Sequence, residues 1–202
     1  MIDYLATFIF LFAVIDPIGT IPVFIGVTSR FDKSDRRKIA YKAVLYSTVI
    51  LMFFIIAGEI ILTAIDIPLS AFQIAGGIIL FLFALSMIFG DSKPDEELKI
   101  SPKGHELAIY PLATPSIASP GAMLAVVLLT ENAKNSLWDQ CQTSLLVIIV
   151  LSITLVLMLL ASHIHRVIGN AGAGIISRIM GMILASVAVA NVLDGIKIYF
   201  QI

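Results

Sequence analysis

The sequence feature that most constrains the fold is an aspartate followed by a proline at the centre of a long apolar stretch. Residues 4–27 form a run of 24 residues in which Asp16 is the only charged side chain. As a helix this run would be about 36 Å long, enough to cross the roughly 30 Å hydrocarbon core of a bilayer. Asp16 would then lie near the membrane midplane, where a carboxylate costs roughly 3 kcal/mol unless it faces protein or water.

Pro17 predicts a break in this span, because proline has no N–H and its ring clashes with the preceding helical turn. An aspartate followed by a proline is also the ordinary way to begin a helix, with Asp16 as the N-cap and Pro17 in the first turn. The sequence therefore predicts that the first span consists of two half-helices and that the second half begins in mid-membrane.

The composition excludes a soluble domain. Of the 202 residues, 59% are hydrophobic and 13% are charged, whereas soluble domains carry about 25% charged residues. The chain is therefore predicted to be an all-α polytopic membrane protein. No basic patch interleaved with aromatic residues is present, so no nucleic-acid partner is expected. Cys141 is the only cysteine, which excludes a disulfide within the chain.

Apolar runs predict six spans, at residues 4–27, 41–64, 68–90, 108–130, 141–163 and 176–199. The charged residues between them predict the orientation. One side of the membrane would hold eleven Lys and Arg residues and the other side two, Lys134 and Lys197. By the positive-inside rule the eleven are cytoplasmic, which places both termini in the periplasm.

The spans are predicted to form one membrane domain of two similar halves, at residues 4–90 and 108–200, joined by a cytoplasmic linker at residues 91–107. Asp16-Pro17 in the first span corresponds to Ser119-Pro120 in the fourth, and Gly76 in the third corresponds to Gly181 in the sixth. Because each half has three spans, the halves would be inverted repeats, an architecture typical of secondary transporters. The run from residue 169 to residue 174, which alternates glycine with small residues, predicts a turn between the last two spans.

The fourth span is broken more severely than the first, with Pro111, Pro115 and Pro120 within ten residues. Thr114 and Ser119 each precede a proline as an N-cap would. Given the orientation above, the half-helices after Asp16 and after Ser119 both point their positive N-terminal ends at the midplane, where a small anion or carboxylate could bind. Asp16 beside them could accept an ammonium group, a proton or Na⁺.

This reasoning yields a set of candidate site residues. The predicted substrate-binding residues are Asp16, Pro17, Gly19, Thr20, Thr114, Ser119, Pro120 and Gly121, and the predicted path-lining residues are Gln73, Ser86 and Asn191. The competing interpretation is that Asp16 and Ser119 only cap kinked helices. For Thr114, Ser116 and the path-lining residues, hydrogen bonding between helices explains the polarity equally well. No metal site is expected, and no arrangement of nucleophile and base suggests an enzyme.

Three segments together resemble the MarC family of bacterial inner-membrane proteins, and within it the YhgN branch. They are Ile15 to Pro22, the proline-rich segment from Tyr110 to Met123, and Ser177 to Gly181. The resemblance covers nearly the whole chain. It implies an inner-membrane location and a relationship to exporters of the LysE type and to archaeal transporters of glycine and alanine.

The function expected from the sequence is secondary transport of a small zwitterionic or anionic solute, preferably a neutral amino acid, by alternating access around the midplane site. No cofactor is expected besides a coupling H⁺ or Na⁺. The alternatives are a membrane scaffold or partner subunit that transports nothing, and a small channel. Six spans are also compatible with a homodimer in the lipid bilayer.

Overall fold

The computed structural model describes residues 3–89, 104–131 and 136–201, and their regular structure is entirely helical. The helices are α1 (Tyr4–Ile15), α2 (Thr20–Thr28), α3 (Lys33–Ala64), α4 (Leu69–Phe89), α5 (Pro120–Leu129), α6 (Leu137–Leu159) and α7 (Ala161–Phe200). A 3₁₀ turn (Gly104–Ala108) and an irregular helical segment (Ile109–Ile117) precede α5. Most of the predicted linker, residues 91–103, lies outside the described residues.

The membrane-spanning architecture is confirmed. Among the described residues, five stretches are long and apolar enough to cross a bilayer, including α1 and α2 taken together as Tyr4–Thr28. A sixth crossing results when Glu106–Ile117 and Pro120–Leu129, which are bent by 58°, are counted as one broken span. The chain is therefore an all-α membrane protein.

Two predicted boundaries are corrected by the structure. The helix predicted from residue 41 begins at Lys33, because Asp32 accepts a hydrogen bond from the Asp35 N–H (2.8 Å) and caps it. The turn predicted over residues 169–174 is reduced to Gly169, which has φ +66° and kinks α7. Glycine adopts this left-handed conformation without steric cost, and the chain returns to the helix immediately after it.

The first span lies at the centre of the protein. In its most apolar stretch 61% of the residues are buried, against 17% for α3, so the other helices surround it and present their outer faces to lipid. The centre is built from small and branched residues of α1, α2 and α5, including Ala13, Val14, Val23 and Ala125, all fully buried. A polar group placed at mid-span in this position therefore faces protein.

Three contacts between helices of the first half and helices of the second half have a counterpart when the halves are exchanged. Consider the exchange of α1 with the Ile109–Ile117 segment, of α2 with α5, of α3 with α6, and of α4 with α7. The contact of α1 with α6 then corresponds to that of Ile109–Ile117 with α3. The contact of α2 with α7 corresponds to that of α5 with α4. The contact of α1 with α5 corresponds to that of Ile109–Ile117 with α2. The inverted repeat remains a prediction, which this pattern supports.

The close contact between α4 and α7 shows the same correspondence between the two halves in its glycine contacts. A Cβ added at Gly77 would lie 3.0 Å from the Ala188 carbonyl oxygen, and one added at Gly181 would lie 3.0 Å from the Ala84 carbonyl oxygen. Both residues of one pair are 104 positions from their counterparts in the other pair (181 − 77 and 188 − 84), so this packing relates Gly181 to Gly77 and not to Gly76 as the sequence predicted. Glycine is required at these points because the helix backbones approach too closely for a side chain.

Candidate functional site

The break in the first span is built by Asp16 and the three residues after it. Asp16 has φ +49° and ψ +65°, and its N–H closes α1 by donating to the Phe12 carbonyl oxygen. The predicted break is therefore present, but Asp16 is the C-cap of α1 and α2 begins at Thr20, not at Pro17. The left-handed backbone of Asp16 turns the chain, and proline cannot donate a hydrogen bond, so residues 17–19 form a turn before the helix resumes.

The Asp16 carboxylate is nevertheless placed as an N-cap carboxylate would be. It is 1% exposed, and its Oδ1 accepts a hydrogen bond from the Gly19 N–H (2.9 Å). The Thr20 N–H and hydroxyl both donate to the Asp16 carbonyl oxygen (3.1 Å each), and the Ile21 N–H donates to Ile18. The N–H groups predicted to bind a substrate at the start of α2 are thus engaged within the turn in this conformation.

The break in the fourth span follows from its three prolines. Tyr110, Thr114 and Ser119 each precede a proline and each has an extended backbone, because the proline ring disfavours the helical conformation of the preceding residue. Thr114 does not cap a helix as predicted. Its hydroxyl instead donates to the Ile109 carbonyl oxygen (3.3 Å) within the same segment.

Ser119 caps α5 as predicted. Its Oγ accepts a hydrogen bond from the Ala122 N–H (3.1 Å), its carbonyl oxygen accepts one from the Met123 N–H (2.9 Å), and Pro120 occupies the first turn. The sequence pattern was sufficient here because a serine before a proline satisfies both requirements of a helix start.

The two breaks are in contact with each other. The Thr20 Oγ1 and Ser116 Oγ atoms are 3.4 Å apart, and the Ser119 hydroxyl donates to the Val14 carbonyl oxygen (3.4 Å). We call Asp16, Thr20, Ser116 and Ser119 the polar cluster. Its members are at most 1% exposed and lie where the first and fourth spans are broken. Such a buried set of polar groups at mid-span is a candidate site for a small polar solute.

Two glycines allow the chain to close around the polar cluster. A Cβ added at Gly19 would collide with the Asp16 carboxylate, so this carboxylate can fold back over the turn only if residue 19 is glycine. A Cβ added at Gly121 would lie 2.7 Å from Leu80 Cδ1 and 3.5 Å from Val14 Cγ1. The sequence predicted both glycines as substrate-binding residues, and in this conformation the groups that approach them are Asp16 and Leu80.

The remaining predicted residues are distributed around the polar cluster. Pro17 is buried beside Asp16, Thr114 is half-buried, and Pro120 is exposed. Gln73 is buried on the face of α4 that also carries Leu80, and Asn191 is half-buried on α7. Ser86 is exposed, and its hydroxyl donates to the Phe83 carbonyl oxygen (2.7 Å). Ser116 joins the two breaks through its contact with Thr20. The sequence did not favour a ligand contact over helix–helix hydrogen bonding for this residue.

The chain is similar to known membrane proteins over its whole length. Residues 1–200 match the family described as "MarC family integral membrane protein". A UPF0056 membrane protein of Methanocaldococcus jannaschii is 35% identical over 197 residues, which are 96% of each chain. The UPF0056 inner membrane protein YhgN of Escherichia coli is 32% identical over 204 residues and the whole of both chains. A UPF0056 membrane protein of Aquifex aeolicus is 31% identical, with 96% of this chain and 92% of that protein covered.

No solved structure matches the chain at a significant level. The family match and the relatives extend over essentially the full length of the chain. The chain therefore belongs to the MarC family of integral membrane proteins.

Proposed function

We propose that the protein is a secondary transporter of small neutral amino acids and that the polar cluster is its substrate site. The observation that carries the proposal is the contact between the two breaks. Thr20 and Ser116, 96 positions apart, meet at mid-span beside a buried carboxylate. Two broken spans that converge on one buried polar point are the arrangement by which transporters bind solutes near the midplane.

The chemistry of the polar cluster suits a zwitterion. The Asp16 carboxylate would accept the ammonium group of an amino acid, or the coupling ion. The N-terminal ends of α2 and α5 carry partial positive charge and would receive the carboxylate. In the closed conformation Asp16 and Ser119 hold two of the N–H groups concerned, those of Gly19 and Ala122. A substrate carboxylate would take over these hydrogen bonds as it enters.

The burial of the polar cluster limits the substrate to small solutes. All four side chains are closed off from both membrane faces, as expected of an occluded conformation in alternating access. Entry and release would then require the two halves to move relative to each other, which is the behaviour of a carrier. The proposal assigns no catalytic step to the protein.

We further propose that the protein resides in the bacterial inner membrane with both termini in the periplasm. The printed name of the Escherichia coli relative places that protein in the inner membrane. The orientation rests on the excess of basic residues on one side of the predicted spans.

The proposal is tested by counterflow of radiolabelled alanine and glycine into proteoliposomes. We expect saturable exchange with the wild-type protein and its loss in Asp16→Asn. Asp194→Asn is the matched control, because Asp194 is a carboxylate in the last span but is exposed. We expect this variant to exchange alanine as the wild type does.

The other outcomes distinguish the alternatives. Flux that does not saturate with solute would contradict a carrier and favour a channel. Absence of exchange for both amino acids, in protein shown to be folded, would contradict the proposal, and a partner that copurifies would then favour a scaffold.

A further inference from the structure

Leu80 of α4 is an apolar side chain that approaches Gly121, in the first turn of α5, from outside the broken spans. It lies near the middle of α4 and is fully buried. Its Cδ1 atom is 2.7 Å from the position that a Cβ of Gly121 would occupy, and Ser119 Oγ is 3.7 Å from the same point. Leu80 therefore fills the space that a side chain at residue 121 would take, next to the capping hydroxyl of α5.

Val14 is a second apolar neighbour of this space. Its Cγ1 atom is 3.5 Å from the same Cβ position, and its carbonyl oxygen accepts the Ser119 hydroxyl. The region beside the N-terminus of α5 is thus polar where Ser119 lies and apolar where Leu80 and Val14 lie. An amino acid held by its carboxylate at this N-terminus would direct its side chain at the apolar side.

We infer that Leu80 sets the upper size of the substrate side chain. The inference rests on the proposed function and adds a residue that determines specificity. Val14 lies in the last turn of α1, and its carbonyl oxygen accepts the Ser119 hydroxyl, so a change there would affect the contact between the two breaks. Leu80, in contrast, lies on an unbroken helix, and the atom that approaches Gly121 most closely is Cδ1, at the end of its side chain. Its replacement by a smaller residue would open space next to the polar cluster and leave the polar groups in place.

The sizes involved favour a measurable effect. Valine exceeds alanine by two carbon atoms, and Leu80→Ala removes three carbon atoms from the protein. One additional methylene in an apolar pocket changes discrimination by roughly 10-fold to 200-fold. The wild-type protein should therefore prefer glycine and alanine to valine, and Leu80→Ala should lose most of that preference.

The test is competition of unlabelled glycine, alanine and valine against counterflow of radiolabelled alanine. The proteins are the wild type, Leu80→Val, Leu80→Ala and Leu151→Ala. Leu151 is a similarly buried leucine on α6. None of its atoms is among the three nearest to a Cβ placed at Gly121. It controls for the general effect of a cavity in the core.

We expect the effectiveness of valine relative to alanine to rise about 10-fold or more in Leu80→Ala. A smaller rise is expected in Leu80→Val and none in Leu151→Ala. An unchanged ratio in Leu80→Ala with alanine exchange intact would overturn the inference and leave the proposed function standing. If Leu80→Ala fails to fold, the ratio in Leu80→Val decides. Absence of alanine exchange in the wild type would overturn both proposals.

Discussion

At the residue scale, Asp16 combines a structural task with the proposed chemical one. Its backbone adopts a left-handed conformation that ends α1, and its Oδ1 accepts the Gly19 N–H. Aspartate and asparagine tolerate this conformation better than other residues with side chains. The sequence predicted the break, because proline forbids a continuous helix. It did not predict that Asp16 ends α1, because an aspartate before a proline is compatible with either role.

Substitutions of Asp16 separate these tasks. Asparagine keeps a carbonyl acceptor for the Gly19 N–H and tolerates positive φ. The free energy of unfolding of Asp16→Asn should therefore be within about 1 kcal/mol of the wild-type value. Alanine removes the acceptor from a buried N–H, so the free energy of unfolding of Asp16→Ala should be lower than that of the wild type by about 1–3 kcal/mol. Chemical unfolding in detergent followed by circular dichroism checks this. Equal loss in both variants would show that the charge itself is required for folding.

Ser119 gives a second prediction at this scale. Replacement of an N-cap serine by alanine costs about 1 kcal/mol, whereas replacement by glycine costs only a few tenths. Ser119→Ala should therefore be less stable than Ser119→Gly in the same unfolding measurement. The order would reverse if Ser119 mattered through packing of its Cβ and not through capping, because alanine keeps this atom and glycine does not.

At the scale of elements, the prolines made both breaks predictable, but not how they meet. The contact of Thr20 with Ser116 and the approach of Leu80 to Gly121 depend on helix packing between residues that are distant in sequence. No local pattern encodes such pairings. Thr114 failed as an N-cap because the segment around it is irregular, so no regular helix begins after it.

The glycines between α4 and α7 give a prediction for this pair of elements. A side chain at Gly77 or Gly181 would press on the backbone of the facing helix, at Ala188 and Ala84 respectively. Gly77→Val and Gly181→Val should each lower the free energy of unfolding by about 1–3 kcal/mol, a typical cost of overpacking. Gly174→Val is the matched control, because nothing lies within 4 Å of a Cβ at Gly174. Similar losses of unfolding free energy at Gly77 and Gly181 would agree with an inverted repeat. Losses no larger than in Gly174→Val would contradict the packing described.

At the scale of the whole molecule, composition and apolar run length were sufficient to predict an all-α membrane protein; the described residues contain five spans, and the predicted sixth is the bent pair Glu106–Ile117 and Pro120–Leu129 if it is counted as one span. The arrangement of the crossings required the structure, because the sequence does not show that the first span is enclosed by the others. The basic first turns of α3 extend beyond the apolar core, and in the proposed orientation they would face the cytoplasm.

Cys141 tests this orientation without any substitution. It is the only cysteine, it is exposed, and it lies in the second turn of α6 on the predicted periplasmic side. A maleimide that cannot cross membranes should label intact spheroplasts at Cys141. In a Cys141→Ser background, a cysteine introduced at the exposed Ser34 should react only after lysis. Labelling in the opposite order would invert the topology and with it the direction of both half-helices.

The most direct test of the central claim is equilibrium binding of radiolabelled alanine to the purified protein. The account predicts saturable binding of one alanine per chain to the wild type and to Asp194→Asn, and no binding to Asp16→Asn that is folded. Saturable binding that survives in Asp16→Asn would contradict the assignment of the polar cluster as the substrate site.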